Sequence, residues 1–371
     1  MSEVTLQTEK KEGFLFKIKK SFVNFGKGCK DFFVNAGKGI KNFFKDPKTG
    51  FKNIWKWMKK QNGWLFLLPA LILMSVFTFY PIVNSLKLAF MEGYDPLDMF
   101  AEPKFGFGNF VDVVKGGIGS GAEFSICLKN TLILAFISVP LSTAIALLVS
   151  VALNSIKVLQ KAYQTIFFLP YLTNALAMGA VFATFFQIIG TDSNIETYGL
   201  VNNFLGLFGI DPINWIDVSR PGIGLPSQTW ANYAVLIIYS TWSGLPFKIL
   251  IIFGALQSVG KQYYDAAKID GANKSTVLTK ITIPLISPML SYLLITGFMG
   301  ALKSYSSIVG IFGSSMGPNG DFEMGTMVGY IYDMIEKNQS AYAAAGSLIL
   351  FLIILVVTII NNKFINKKVH Y

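Results

Sequence analysis

Histidine occurs once in 371 residues, as His370, and cysteine twice, as Cys29 and Cys127, far apart and without metal-ligand spacing. That inventory excludes a zinc site, a disulfide framework, Ser-His-Asp and Cys-His hydrolase chemistry, and any mechanism needing an internal histidine base. No GxxxxGKS/T string is present, so the chain does not cradle nucleotide phosphates by a P-loop; any ATP used is bound by another subunit. Arginine occurs once, as Arg220, a bias from which no partner follows. Charge is scarce too. Only 14% of residues are Asp, Glu, Lys or Arg, against about 25% in a soluble domain.

Apolar length takes the place of charge. Hydrophobic residues make up 52% of the chain and the mean hydropathy is +0.49. Six runs, at 64–83, 131–153, 162–186, 234–259, 285–301 and 341–360, approach or exceed the roughly 20 residues that cross a hydrocarbon core. The expected fold is all-α, a polytopic membrane protein with six transmembrane helices. The first run lies too far into the chain, behind too many lysines, for a cleaved secretory signal, and is expected to remain as a helix. With the N-terminus inside, 24 of the 32 Lys and Arg fall in cytoplasmic segments and 5 outside. The positive-inside bias therefore places both termini in the cytoplasm. No Asp or Glu falls inside the six runs, which disfavours a proton-coupled carrier, since such carriers hold an ionisable relay at mid-membrane.

The organisation expected is a cytoplasmic Lys/Phe/Gly-rich segment (1–62), a transmembrane domain (63–366) and a short cytoplasmic tail (367–371). In the first segment VNFGKGCKDFF is followed at once by VNAGKGIKNFF. That 11-residue period, about 3.67 residues per turn, keeps one apolar stripe along a helix. An interfacial amphipathic helix with lysines toward anionic lipid fits the pattern; a solvated basic tail is the alternative. Nucleic acid is not an expected partner.

Between the fourth and fifth runs lies KQYYDAAKIDGANKSTVLTKITIPLISP, residues 261–288. It reads as a short helix (262–268), a break at Asp270-Gly271, a second helix from Asn273 to Thr282 capped by Asn273, and a Pro284/Pro288 pair that stops it. Too polar to span and too short for a domain, it reads as a docking element for something soluble.

These residues resemble the EAA loop, EAAxxDGAxxxxxFxxIxLPxxxP, of the inner-membrane permease subunits of binding-protein-dependent ABC importers. The match runs through Tyr264, Asp265, Ala266, Ala267, Asp270, Gly271, Ala272, Ile281 and Pro284. Asp265 stands where Glu is usual and Leu278 where Phe is usual. FFLPYLTNALAMGAVF (167–182), TWSGLPFKILIIFGALQSV (241–259) and the last span resemble the sugar-permease branch, the MalF-like maltodextrin and oligosaccharide type. The resemblance implies the type I ABC importer permease fold and one half of a pathway in the bacterial cytoplasmic membrane. It implies a second permease as heterodimer partner, an extracellular sugar-binding protein, and two ATPase subunits that carry ATP and Mg; this chain would hold no cofactor or metal and catalyse nothing. Trp242, Ser243, Gly244 and Phe247, with Ser304, Tyr305, Ser306 and Ser307, are the implied substrate path, aromatic faces and hydroxyls being what sugar sites combine. Lys248 and Lys303 lack an acid partner in the membrane and are expected to snorkel to an interface, to pair with the partner permease, or to face an acidic sugar. A non-sugar ABC permease, an ATP-independent secondary carrier and a membrane anchor are the rivals.

Overall fold

A computed structural model describes residues 64–98, 102–115, 122–156, 160–191, 194–216, 229–314 and 324–366. The 11-residue repeat and the C-terminal tail lie outside them. The chain divides into two units, Met1–Ile82 and Val83–Tyr371.

The first unit contributes α1 (Trp64–Met74) and a π turn, Ser75–Phe79, which leads into α2 (Tyr80–Ala89). Leu71, Ile72, Phe77 and Ile82 are all exposed, the all-round apolar surface of a helix solvated by lipid. The π turn has a local cause. Pro81 lacks an N–H, and in an unbroken α-helix its ring would strike the carbonyl four residues back. Widening the turn lets the Tyr80 N–H donate to the Ser75 carbonyl instead.

In the second unit, β1 (Met91–Glu92) pairs antiparallel with β2 (Lys104–Phe105), followed by α3 (Gly108–Lys115). Asn109 ties this corner together, donating to the carbonyls of Ala89 and Met91 at 3.1 and 3.0 Å. The 34-residue α4 (Ala122–Ser155) comes next, then α5 (Gln160–Phe168) and α6 (Ala175–Phe186). A hairpin, β3 (Ile188–Thr191) with β4 (Asn194–Tyr198), leads to α7 (Leu200–Gly206) and α8 (Thr229–Ser258). The chain then forms α9 (Lys261–Ile269), α10 (Lys274–Val277), a second π turn (Leu278–Thr282), α11 (Ile283–Ala301), α12 (Ser306–Phe312), α13 (Met327–Glu336) and α14 (Ser340–Asn366). Among the described residues, five stretches are long and apolar enough to cross a membrane, and a sixth is a bent pair. The fold is helical as expected, with two small antiparallel ladders that the hydropathy pattern does not register. No Asp or Glu falls within the described spans.

Two expectations need correction. The run at 162–186 is not one helix: α5 and α6 meet at an angle of 100°. Pro170 sits in a 3₁₀ turn, Thr173 is extended (ψ 153°), and Asn174 starts α6 by accepting from the N–H groups of Leu176 and Ala177 at 2.8 and 3.4 Å. A polar cap inside an apolar run is invisible to a hydropathy average. Nor do Pro284 and Pro288 stop a helix, since α10, the π turn and α11 run on as one helix, Lys274–Ala301. The Ile283 N–H donates to the Leu278 carbonyl and the Thr282 hydroxyl donates to the Val277 carbonyl at 3.2 Å. Both π turns thus end two residues before a proline, Pro81 in one case and Pro284 in the other.

The second unit is held by the packing of α4 against α8, with Ala146, Leu153, Ile249, Ile252, Phe253 and Leu293 among the buried residues where α11 joins them. On the other side α6 lies against α12, where Gly179 and Gly310 let the backbones touch. A Cβ on Gly179 would lie 2.8 Å from the Gly310 Cα, and one on Gly310 would lie 2.9 Å from the Leu176 carbonyl oxygen. Small residues of this kind allow close helix approach in membranes. Gly179→Ala is expected to destabilise the purified subunit by about 1–3 kcal/mol, the usual cost of overpacking. Gly254→Ala, whose Cβ would meet nothing within 4 Å, should be neutral or stabilising by up to about 1 kcal/mol. Thermal unfolding in detergent distinguishes the two.

Candidate functional site

Polar residues in an apolar helix gather on one face when spaced three or four apart. On α8 Ser240, Ser243, Gly244 and Lys248 keep that spacing, and on α4 so do Ser138 and Ser142. The two faces meet, with Gly297, Gly300 and Ala301 of α11 and the Lys303 to Ser307 turn, around a cavity of about 350 Å³. Tyr239 and Ala175 complete the wall. Hydroxyls that point along their own helices keep this surface satisfied: Ser138 donates to the Leu134 carbonyl and Ser142 to the Ser138 carbonyl, both at 2.6 Å. The Tyr239 hydroxyl donates to the Ala175 carbonyl at 2.6 Å.

Lys248 is the least expected member. It is 6% exposed, so it does not snorkel. Its ammonium donates to the Val139 carbonyl at 3.1 Å, to Thr143 Oγ1 at 3.0 Å and to Ser142 Oγ. An ammonium has three protons, and three oxygens of one turn of α4 receive them. Gly297 makes room for this clamp: a Cβ there would lie 2.9 Å from Val139 Cγ1 and 3.6 Å from the lysine Nζ. Lys303 differs, being exposed at the cavity wall.

Of the residues expected on a substrate path, Ser243, Gly244, Ser304, Tyr305, Ser306 and Ser307 border the cavity; Trp242 and Phe247 do not. Trp242 packs into the core with Phe182 and Tyr239, ring centroids 6.0 and 6.3 Å away, and Phe247 stacks on Tyr171 at 5.6 Å. The Ser304 and Ser307 hydroxyls are 2.6 Å apart, Thr326 donates to the Ser304 carbonyl at 2.6 Å, and Tyr305 stacks on Tyr332 at 4.6 Å. Ser138, Ser142, Tyr239, Ser240 and Gly297 were missed from the sequence. The period-four rows of serine on α4 and α8 were the available signal.

The surface loop is also built by local rules. Helix α9 ends in a Schellman motif: the Ala272 N–H donates to the Ala267 carbonyl at 2.9 Å and the Gly271 N–H to the Lys268 carbonyl at 3.2 Å. Gly271 sits at φ +68°, a conformation costly for any residue with a Cβ. Asn273 Oδ1 accepts from the Thr276 N–H at 2.7 Å and opens α10. Asp265, Ala266, Ile269, Asp270 and Gly271 are exposed, Ala267 is buried, and Tyr264, Ala272, Ile281 and Pro284 are half-buried. The Tyr264 hydroxyl lies 3.4 Å from Thr282 Oγ1, which joins α9 to the π turn.

Helices of membrane-crossing length around a polar cavity, joined by a short surface helix pair, are the build of a transport permease. The family described as binding-protein-dependent transport system inner membrane component matches residues 129–370, and the chain belongs to it. It is a multi-pass permease subunit and not an enzyme. The chain is similar to the lactose transport system permease protein LacF of Rhizobium radiobacter, 29% identical over 303 residues that cover 81% of this chain and 91% of that one. It is similar also to the arabinooligosaccharides transport system permease protein AraP of Bacillus subtilis, 27% identical over 82% and 88% of the two chains. In fold it resembles a chain from the crystal structure of a bacterial ABC transporter involved in the import of the acidic polysaccharide alginate. The TM-score is 0.67 and the identity 23%, over 85% of this chain and 99% of that one.

Replacing Lys248 by Met leaves no acceptor stranded, because the Ser142 and Thr143 hydroxyls keep their own backbone partners at 2.6 and 2.7 Å. Exchange of a buried ion for an apolar side chain of similar length is commonly neutral or stabilising. Lys248→Met should therefore fold with an unchanged or higher melting temperature, read by thermal scans of the purified protein.

Proposed function

We propose that this chain forms half of the translocation pathway of an ATP-driven sugar importer, taking an oligosaccharide such as a maltodextrin, and that the loop at 261–288 couples it to ATPase subunits. The sugar named in each of the relatives above supports the substrate class, and the hydroxyl-lined cavity supports a path through this subunit. The observation that carries the coupling role is the exposed edge of α9. Asp265 and Ala266 flank Ile269 on one side of α9, since they lie four and three residues before it, and Ile269 is 87% exposed. An apolar side chain so presented beside small and acidic ones suits a protein partner. Tyr264, Ala267, Ala272, Ile281 and Pro284 hold that edge in place; Asp265, Asp270 and Gly271 present it.

The partners proposed are a second permease, two ATPase subunits that bind ATP and Mg, and an extracellular binding protein docking on the segments 88–129 and 188–232. The excess of lysine in the segments before α1, between α8 and α11, and after α14 supports cytoplasmic termini in a bacterial cytoplasmic membrane. Solute then passes when ATPase closure moves α9 and the helix rooted beside it, opening the cavity to each side in turn.

The test is ATP hydrolysis by the reconstituted importer, stimulated by the solute-loaded binding protein. Ile269→Asp is expected to lower stimulated hydrolysis and uptake together by about 10-fold or more, the loss typical of removing an interface anchor. Gly271→Val, which forces a branched residue into the left-handed region at about 1–2 kcal/mol, should loosen the same contact. Unchanged coupling in both variants, with assembly intact, would remove the docking role.

A further inference from the structure

The cavity carries two positive charges and, among its lining residues, no carboxylate. Lys248 delivers its charge to the wall while its protons are taken by neutral oxygens of α4. Hydrogen bonds to neutral acceptors solvate the ammonium without neutralising it, so its field reaches into the cavity. Lys303 stands on the turn after α11 with its side chain exposed at the same wall. The rest of the polar lining is hydroxyl, from the serines and two tyrosines. Tyr239 is 2% exposed, and Trp242 and Phe247 are turned into packing, which leaves the cavity poor in open aromatic surface for stacking a neutral sugar ring.

We infer that this cavity is specific for a hydroxyl-rich solute bearing a negative charge, an acidic saccharide or a phosphate ester, with Lys303 as the specificity-determining residue that meets the anion. The inference rests on the importer reading and sets an anionic solute in place of the neutral maltodextrin. Lys303 offers a mobile, charge-assisted donor, the Lys248 field adds to the attraction, and the serines bind hydroxyls of the same solute. A neutral sugar leaves both charges without a counterion, and for the buried Lys248 an uncompensated charge is costly.

The experiment uses proteoliposomes containing the whole importer with its own binding protein, given trigalacturonate, sn-glycerol 3-phosphate or maltotriose. ATP-dependent uptake of trigalacturonate or glycerol 3-phosphate in preference to maltotriose is expected, and which anion is taken distinguishes the carboxylate from the phosphate. Lys303→Gln should lower uptake of the preferred anion about 10-fold or more, the usual weight of a charge-assisted hydrogen bond, while Lys303→Arg retains most of it and both variants melt at the wild-type temperature. Uptake and stimulated hydrolysis with maltotriose but with neither anion, or a Lys303→Gln variant unaltered toward the anion, would overturn the charge inference and leave the importer standing. If no solute stimulates hydrolysis, the importer reading falls and this inference falls with it.

Discussion

In hydrocarbon a peptide group has no water to bond, so each N–H and C=O must find its partner within the protein. The devices that shape this chain are answers to that demand. Pro81 and Pro284 each remove a donor and crowd a carbonyl, and each is preceded by a π turn that reroutes the hydrogen bonds by one residue. Asn174 supplies the acceptor that lets α6 begin after a right-angled bend. Serine and threonine hydroxyls on α4 fold back onto carbonyls one turn earlier, so that a polar face survives on a helix surrounded by apolar residues. At each of these points side chains or altered turns supply the missing bonds.

The same requirement explains why a lysine is tolerated deep in the bundle. An ammonium is costly to desolvate, and Lys248 is accommodated because one turn of α4 offers a carbonyl and two hydroxyls at bonding distance. Pro246 and Gly244 lie within a turn of it on α8, and Gly297 of α11 admits the side chain without a clash. The three helices thus meet at a polar joint beside the cavity as well as at the apolar core.

What could be read from the amino acids follows the range of the forces involved. Long apolar runs announce the spans because burial in lipid sums over 20 or so residues. Gly271 and Asn273 announce their turn because the φ and the cap are local properties of single residues. The 100° bend between α5 and α6 was not legible, since Thr173 and Asn174 are two polar residues in a long apolar average. The prolines at 284 and 288 misled for the opposite reason: Pro284 follows a π turn that absorbs it, and Pro288 is carried inside α11, against the rule that proline ends a helix. Trp242 and Phe247 were expected in the path because their type suits a sugar, whereas their direction is set by Phe182 and Tyr171, neighbours on other elements. Nothing in the spacing of α8 alone would have shown that.

The continuous helix from Lys274 to Ala301 links the two proposed working surfaces. At one end Thr282 lies against α9, through the Tyr264 hydroxyl; at the other Gly297, Gly300 and Ala301 form cavity wall. From Ile283 to Gly300 the rise is about 25 Å at 1.5 Å per residue, close to the thickness of the hydrocarbon core. If α9 docks as proposed, a tilt there would reach the wall through this rod, whose cavity face carries only glycine and alanine. Glycine at 297 brings α11 close to Val139 and Lys248, where a Cβ would lie 2.9 Å from Val139 Cγ1. The π turn, Leu278–Thr282, stands where this helix meets α9, and π turns are among the places where helices kink.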